Sequence, residues 1–272
     1  MPPLCRDSLL PIPCFHPYIR EYRSVNKIFV SSIVFVIAML YSSAGFGGAS
    51  GYLVAMSFFD IPAAVMASTA LVLNIFVSSI SFTNYARAGH FRPYLLVPFL
   101  ITSVPAAFIG GTITISERTY TILLYIVLSY LAIRMVLFPT LTEARNWTPR
   151  AVPLWGALLS GAVIGLLSGV IGIGGGIFLS PLIILMQWGD SKQAAASAGG
   201  FIAINSISGL VGRFANGTLA FGDFGLWLVI VGMIGALIGS QLGAIKLSGT
   251  GVRRTLGVIL TIAVGTYWFN LL

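Results

Sequence analysis

Residues 151 to 189 read AVPLWGALLSGAVIGLLSGVIGIGGGIFLSPLIILMQWG, thirty-nine positions without one charged side chain. An unpaired charge at the centre of a bilayer costs several kcal/mol, so a run of this kind marks chain that lives in hydrocarbon. At 1.5 Å per residue a straight helix of this length would reach about 58 Å, against a hydrocarbon core of about 30 Å. Something must interrupt it, and the interruption is visible as Gly172-Ile173-Gly174-Gly175-Gly176. Each glycine costs a helix interior about 1 kcal/mol relative to alanine. The stretch therefore predicts a helix, an unwound glycine turn and a short second helix.

A second overlong stretch, Ile28 to Phe59, carries Gly45-Phe46-Gly47-Gly48-Ala49-Ser50-Gly51 and predicts the same design. Six more charge-free stretches complete the chain: 61–86, 93–116, 119–133, 193–212, 224–245 and 255–272. Of the 272 residues 57% are hydrophobic and 8% charged, and the mean hydropathy is +0.96. Soluble globular domains carry about a quarter charged residues, so that class is excluded. The net charge of +8 does not indicate nucleic acid. The basic residues punctuate apolar runs, as topogenic charges do, and form no dense stripe. Residues 1–27, with Cys5, Cys14 and five prolines, have no continuous apolar core and read as a retained cytoplasmic tail.

The glycine clusters sit in an internal repeat. Gly45 and Gly172 are 127 residues apart, Gly89 and Gly217 are 128 apart, Gly110 and Gly239 are 129 apart, and Asp60 and Asp190 are 130 apart. A polar patch with an asparagine follows each aspartate: Ser68, Thr69 and Asn74, then Ser197 and Asn205, the two asparagines needing a small gap to align. The expected organisation is a tail (1–27), a first membrane repeat (28–138), a loop (139–150) and a second membrane repeat (151–272). Duplicated halves are a common construction of secondary transporters.

Basic residues set the expected topology. With each long stretch crossing once and a cytoplasmic N-terminus, ten Lys and Arg lie inside (Arg6, Arg20, Arg23, Lys27, Arg87, Arg92, Arg134, Arg145, Arg150, Arg213) and five outside. With each long stretch crossing twice, six stay inside and nine lie outside. The positive-inside rule selects eight crossings with both termini cytoplasmic, in two four-span halves of the same orientation.

All seven acidic residues (Asp7, Glu21, Asp60, Glu117, Glu143, Asp190, Asp223) fall in the tail or between spans, and the histidines are His16 and His90. A carboxylate or histidine relay at mid-membrane is therefore missing, and ligand binding is left to backbone N–H groups, hydroxyls, amides and helix ends. That equipment suits an anion: an unwound turn bares N–H groups, and the next helix N-terminus adds about half a positive charge. The candidate contacts are the peptides of Gly45, Gly47, Gly48, Gly172, Gly174, Gly175 and Gly176, with the side chains of Ser50, Asn74, Ser197 and Asn205. Ser168 and Ser180 also lie beside the turns. The glycines could instead serve close helix packing, and the asparagines interhelical hydrogen bonds. Asp60 and Asp190 are expected as helix N-caps, and Arg87, His90 and Arg92 as orientation signals. Gly175→Leu is expected to abolish transport in a protein that still reaches the membrane.

The motifs Ser43-Ala44-Gly45-Phe46-Gly47-Gly48 and Ser168-Gly169-Val170-Ile171-Gly172-Ile173-Gly174-Gly175-Gly176, opening two similar halves, resemble those of the TauE/SafE family of sulfite exporters. Phe178-Leu179-Ser180-Pro181-Leu182 and Ala194-Ala195-Ala196-Ser197 extend the resemblance, which covers about residues 28 to 272. The first motif departs from the pattern by placing Ala49-Ser50 before Gly51. The resemblance implies movement of sulfite, organosulfonates or other small anions across the cell membrane.

The sequence thus reads as an all-α polytopic membrane protein, a secondary transporter and exporter of small anions. An anion channel and, more remotely, an intramembrane enzyme are the alternatives, the enzyme lacking any nucleophile and base in a span. The expected partners are the bilayer and the anion, with no nucleic acid, no metal and no cofactor. The oligomeric state is open, a homo-oligomer included.

Overall fold

A computed structural model describes residues 27–43, 45, 47–58, 61–137, 150–221, 225–245, and positions 261, 264, 265, 268 and 269. The N-terminal tail, Asp60 and most of the 139–150 loop lie outside the described residues. Among the described residues all regular structure is helical: α1 (Lys27–Ser43), α2 (Ala49–Ser57), α3 (Ala63–Arg87), α4 (Val97–Thr112), α5 (Glu117–Leu137), α6 (Leu154–Ile171), α7 (Gly176–Leu185), α8 (Ser191–Ala215) and α9 (Gly225–Ile245), with a short 3-10 turn at Pro93–Leu95. By length and composition α3, α6 and α8 are each able to cross a membrane.

The helices begin and end where local chemistry says they should. Asp190 caps α8 by accepting from the Lys192 and Gln193 N–H groups at 2.8 Å, and Gln193 bonds back to the Asp190 N–H. No side chain of its own caps α3, which follows Pro62; the Glu117 carboxylate at the start of α5 takes the Ala63 N–H at 2.9 Å. Gly89 and Gly217, at φ +80° and +65°, turn the chain after α3 and α8.

Both long stretches break at their glycine clusters, but the chain does not continue to the far side. The Arg150 N–H, ahead of α6, donates to the Gln187 carbonyl, beyond α7, at 2.9 Å. Residues 151–189 therefore start and finish at the same end of the bundle. In the first stretch the Tyr85 hydroxyl, near the end of α3, donates to the Ser43 carbonyl at 2.8 Å, whereas Gly47 already lies beside Asn74 at the middle of α3. A Cβ on Gly51 would stand 2.5 Å from Ile37, so α2 folds back along α1. Each stretch is a helical hairpin, which corrects the expectation of a single crossing. A glycine run lowers the cost of leaving the helix but carries no instruction about the direction taken afterwards.

Two helix pairs pack along glycine seams. Gly161, Gly165 and Gly169 of α6 face α4, where a Cβ at Gly161 would meet the Phe99 carbonyl at 2.5 Å. On α9, Gly235 and Gly239 face α1, with the Phe35 carbonyl 2.6 Å from a Cβ at Gly235. Small residues four apart let backbones touch where lipid gives no hydrophobic incentive to associate. Trp155, Leu159 and Val163, also four apart, line the exposed side of α6, with Trp155 84% exposed, as a lipid-facing stripe requires. Between the two pairs α3 packs against α8, α9 and the hairpin α2, while α8 packs against α3, α4 and α7.

Candidate functional site

Helix α6 ends at Gly172, whose φ is +88° and whose N–H donates to the Ser168 carbonyl at 2.9 Å. Gly174 and Gly175 follow at +79° and +78°, and Gly175 is the N-cap of α7. The first turn repeats this geometry. Gly45 has φ +85° with its N–H on the Ser42 carbonyl at 3.0 Å, and Gly48, at +90°, is the N-cap of α2. Only glycine enters this backbone region at no cost.

The two turns meet at the middle of the bundle over the centres of α3 and α8. A Cβ on Gly47 would stand 2.8 Å from Asn74 Oδ1 and 3.0 Å from Ile202 Cγ2. A Cβ on Gly174 would stand 2.6 Å from Ile202 Cγ2, 2.9 Å from Asn74 Nδ2 and 3.0 Å from Ser206 Oγ. Asn74 and Ile202, 128 residues apart, thus occupy equivalent places, each touching both turns. Asn74 is fully buried, and its Nδ2 donates to the Gly172 carbonyl at 3.4 Å, which directs Oδ1 toward Gly47. Asn74 Oδ1 and Ser206 Oγ have no hydrogen-bond partner, and Ser206 is also fully buried. The peptide N–H groups of Gly47, Gly48, Gly174, Gly175 and Gly176 make no hydrogen bond to the described residues. The result is a buried, closely packed set of backbone donors beside an amide acceptor and a hydroxyl. The described acids, Glu117 and Asp190, sit at helix starts at the ends of the bundle.

The remaining predicted residues fall in several places. Gly45 packs on Ala195 and Gly172 on Ala67, with Cβ positions 2.8–2.9 Å from backbone atoms. Gly48 lies under Tyr52, Gly175 against Ile164 and Phe201, and Gly176 against Ala198 and Ile202. Close packing alone therefore demands glycine at these positions. Ser50 donates to the Tyr41 hydroxyl at 2.8 Å, on the α1 side of the hairpin. Asn205 donates to the Phe201 carbonyl of its own helix at 2.9 Å and leaves Oδ1 unpartnered, and the buried Ser197 hydroxyl has no partner. The backbone register matches Asn74 with Ile202, so Asn205 is not its counterpart. Ser206 and Ile202 escaped the sequence reading because one is an ordinary serine and the other an apolar residue facing a polar turn. Tyr120, whose hydroxyl donates to the Ile171 carbonyl at 2.8 Å and so closes the end of α6, carried no sequence signal.

At the loop end of α3, burial and the neighbouring Lys192 ammonium hold the His90 imidazole below its ordinary pKa, with Asp190 opposing them.

The family model for sulfite exporters TauE/SafE matches residues 30–267. The chain belongs to the TauE/SafE family. A protein of Sinorhizobium fredii named as a probable membrane transporter is 37% identical over 233 residues, 84% of this chain and 93% of that one. One of Methanocaldococcus jannaschii with the same description is 25% identical over 243 residues, 85% and 90% of the two chains. No solved structure matches. Family and apolar helices together make this TauE/SafE member a multi-pass membrane protein.

Proposed function

We propose that the protein is a secondary transporter that exports a small oxyanion, sulfite or an organosulfonate, through a site between the two glycine turns. The observation that carries the reading is Asn74, fully buried and touching both turns, with an unpaired acceptor beside glycine peptides whose N–H groups make no hydrogen bond to the described residues. Gly47, Gly48, Gly174, Gly175 and Gly176 supply N–H groups, the N-termini of α2 and α7 supply partial positive charge, and Asn74 and Ser206 supply side-chain contacts. An unpaired acceptor among donors suits a singly protonated oxyanion such as hydrogen sulfite: its oxygens accept from the peptides while its proton is donated to Asn74 Oδ1. Coupling to protons then needs no carboxylate, since the substrate carries the proton. The sulfite assignment draws on the family's description; the geometry supports a small anion.

The paired contacts support two halves of opposite orientation, the second pass of each unwound at its glycine turn. Gly45 on Ala195 mirrors Gly172 on Ala67, and α1 on α9 mirrors α6 on α4. Midplane sites at the discontinuous helices of inverted repeats are a recurring transporter design. With hairpins in place of single crossings, the described Lys and Arg residues divide five on the face of His90 and Arg150 (Arg87, Arg92, Arg134, Arg150, Lys192) against three on the face of Lys27 and Glu117 (Lys27, Arg118, Arg213). The positive-inside rule then puts the start of α1 on the outer face of the cell membrane, the reverse of the orientation expected for eight crossings.

The test is flux of sulfite, sulfate, thiosulfate and a sulfonate in proteoliposomes. Saturable uptake with counterflow of at least one is expected; non-saturating conductance makes the protein a channel, and no flux of any refutes the anion reading.

A further inference from the structure

Arg213, in the last turn of α8, is 6% exposed. One guanidinium nitrogen donates to the carbonyls of Val170 at 2.7 Å and Gly169 at 3.3 Å, at the C-terminal end of α6. Its Nε has no partner, and no carboxylate pairs with it among the described residues. The Tyr120 phenol, an ionisable neighbour, closes the adjacent Ile171 carbonyl. Two carbonyls at a helix C-terminus recover only part of the cost of burying a cation.

Structure alone does not need the charge. Tyr85, 128 residues earlier, does the same work in the first hairpin: its neutral hydroxyl holds the Ser43 carbonyl at the end of α1. The two hairpin hinges are thus tied alike, one by a phenol and the other by a cation two residues ahead of Gly172. A buried ionisable group where a neutral one suffices marks a functional position, and the unused Nε donor suits an anion.

We infer that Arg213 is the group that selects for negative charge, meeting the transported oxyanion beside the Gly172–Gly176 turn on its way to or from the Glu117 end of the bundle. This rests on the anion reading given above. In the occluded arrangement the guanidinium rests on the α6 carbonyls; when the hairpin opens, Nε and a terminal nitrogen present the two-pronged donor set that an oxyanion accepts.

The experiment uses the full chain in proteoliposomes with sulfite as probe. R213K keeps the charge, R213Q keeps amide donors for the α6 carbonyls without charge, and R213Y installs the residue found at the matching position. Expected are thermal midpoints close to wild type for all three, a sulfite KM within about threefold of wild type for R213K, and a KM raised about tenfold or more for R213Q and R213Y. Equal KM values for R213K and R213Q reduce Arg213 to a helix tie and overturn the inference. A readout on the unaltered protein guards against misfolded variants: modification of Arg213 by phenylglyoxal, followed by mass spectrometry, is expected during turnover and to slow at saturating sulfite. Modification that ignores sulfite, or none during turnover, overturns the inference too. If wild type moves no anion in the panel, the anion reading itself fails; if wild type moves sulfite and R213Q has its KM, only Arg213 is misassigned.

Discussion

Replacing Asn74 separates function from folding, because the structure gives this side chain little stabilising work. Its Nδ2 bond to Gly172 is long at 3.4 Å, so it lies at the weak end of the roughly 0.5–1.5 kcal/mol a hydrogen bond contributes. Its Oδ1 is buried without a partner, a state that costs about 1–3 kcal/mol and that truncation relieves. The void left by three heavy atoms, about 45 Å³ at about 24 cal/mol per Å³, costs about 1 kcal/mol. The terms nearly cancel, and Asn74→Ala is expected to unfold within a few degrees of wild type. Transport should respond differently. Losing the side-chain amide at the meeting of the turns removes a contact to a charged ligand of about 1.5–3 kcal/mol, a tenfold or greater rise in the sulfite KM. Asn74→Asp, nearly the same shape, sets a negative charge about 4 Å from the anion at a cost of about 4 kcal/mol for an effective dielectric near 20, roughly a thousandfold. The assay is initial-rate uptake of labelled sulfite into proteoliposomes beside differential scanning fluorimetry in detergent. Wild-type KM in Asn74→Asp refutes the site; a large fall in melting temperature for Asn74→Ala refutes the accounting above.

Gly172→Ala forces a positive φ on alanine and drives its Cβ to 2.9 Å from the Ala67 backbone, so a loss of about 2–5 kcal/mol is expected, whereas Gly217→Ala has open space at its Cβ and should lose about 1 kcal/mol; equal melting temperatures contradict the packing. Single cysteines at positions 89, 151 and 187 in a background lacking Cys5 and Cys14 should label from one side of the membrane, and those at 115 and 217 from the other; 151 and 187 on opposite sides exclude the hairpin. Sulfite uptake at fixed total sulfite should track the singly protonated form as external pH is varied, and uptake proportional to the dianion refutes the role given to Asn74 Oδ1. Gly175→Leu is expected to misfold, since its Cβ already meets Ile164 and Phe201 at 2.7 and 2.8 Å, and trafficking assays will show loss from the membrane and not an inactive carrier in place.

How much of this was legible depended on the kind of physics that writes each feature into sequence. The helix breaks were legible because unwinding has a residue-level cost that glycine lowers, and Gly45, Gly48, Gly172, Gly174 and Gly175 all take positive φ. The cap at Asp190 was legible for the same local reason. Chain reversal was not, because it is settled by what the turn packs against: Gly45 on Ala195 and Gly172 on Ala67, contacts that span more than a hundred residues. The charge count could not substitute for it, since moving each hairpin's far end to the other face changes the side of most loops together. The asparagines misled because residue type was aligned instead of register, and register matches Asn74 with Ile202. Arg213 was counted as a topogenic charge, and nothing in a lone arginine near a helix end announces that it is buried.

The same packing that makes the glycines indispensable also accounts for the unsatisfied atoms around them. Helices α3 and α8 approach the turns closely, with Asn74 and Ile202 against both Gly47 and Gly174, and burying a peptide donor without a partner costs about 1–3 kcal/mol. A bundle stable for its own sake would have closed these groups, as Tyr85 and Tyr120 close the carbonyls of Ser43 and Ile171. The carbonyl ends of α1 and α6 are tied and the amide ends of α2 and α7 are open, and that asymmetry has the polarity an anion requires. In the proposed carrier, rocking one hairpin against the α3–α8 pair would expose those amides to one face at a time, and an anion bound there would satisfy the unpaired donors. A cation carrier built on this frame would need the reverse, with amides tied and carbonyls bare.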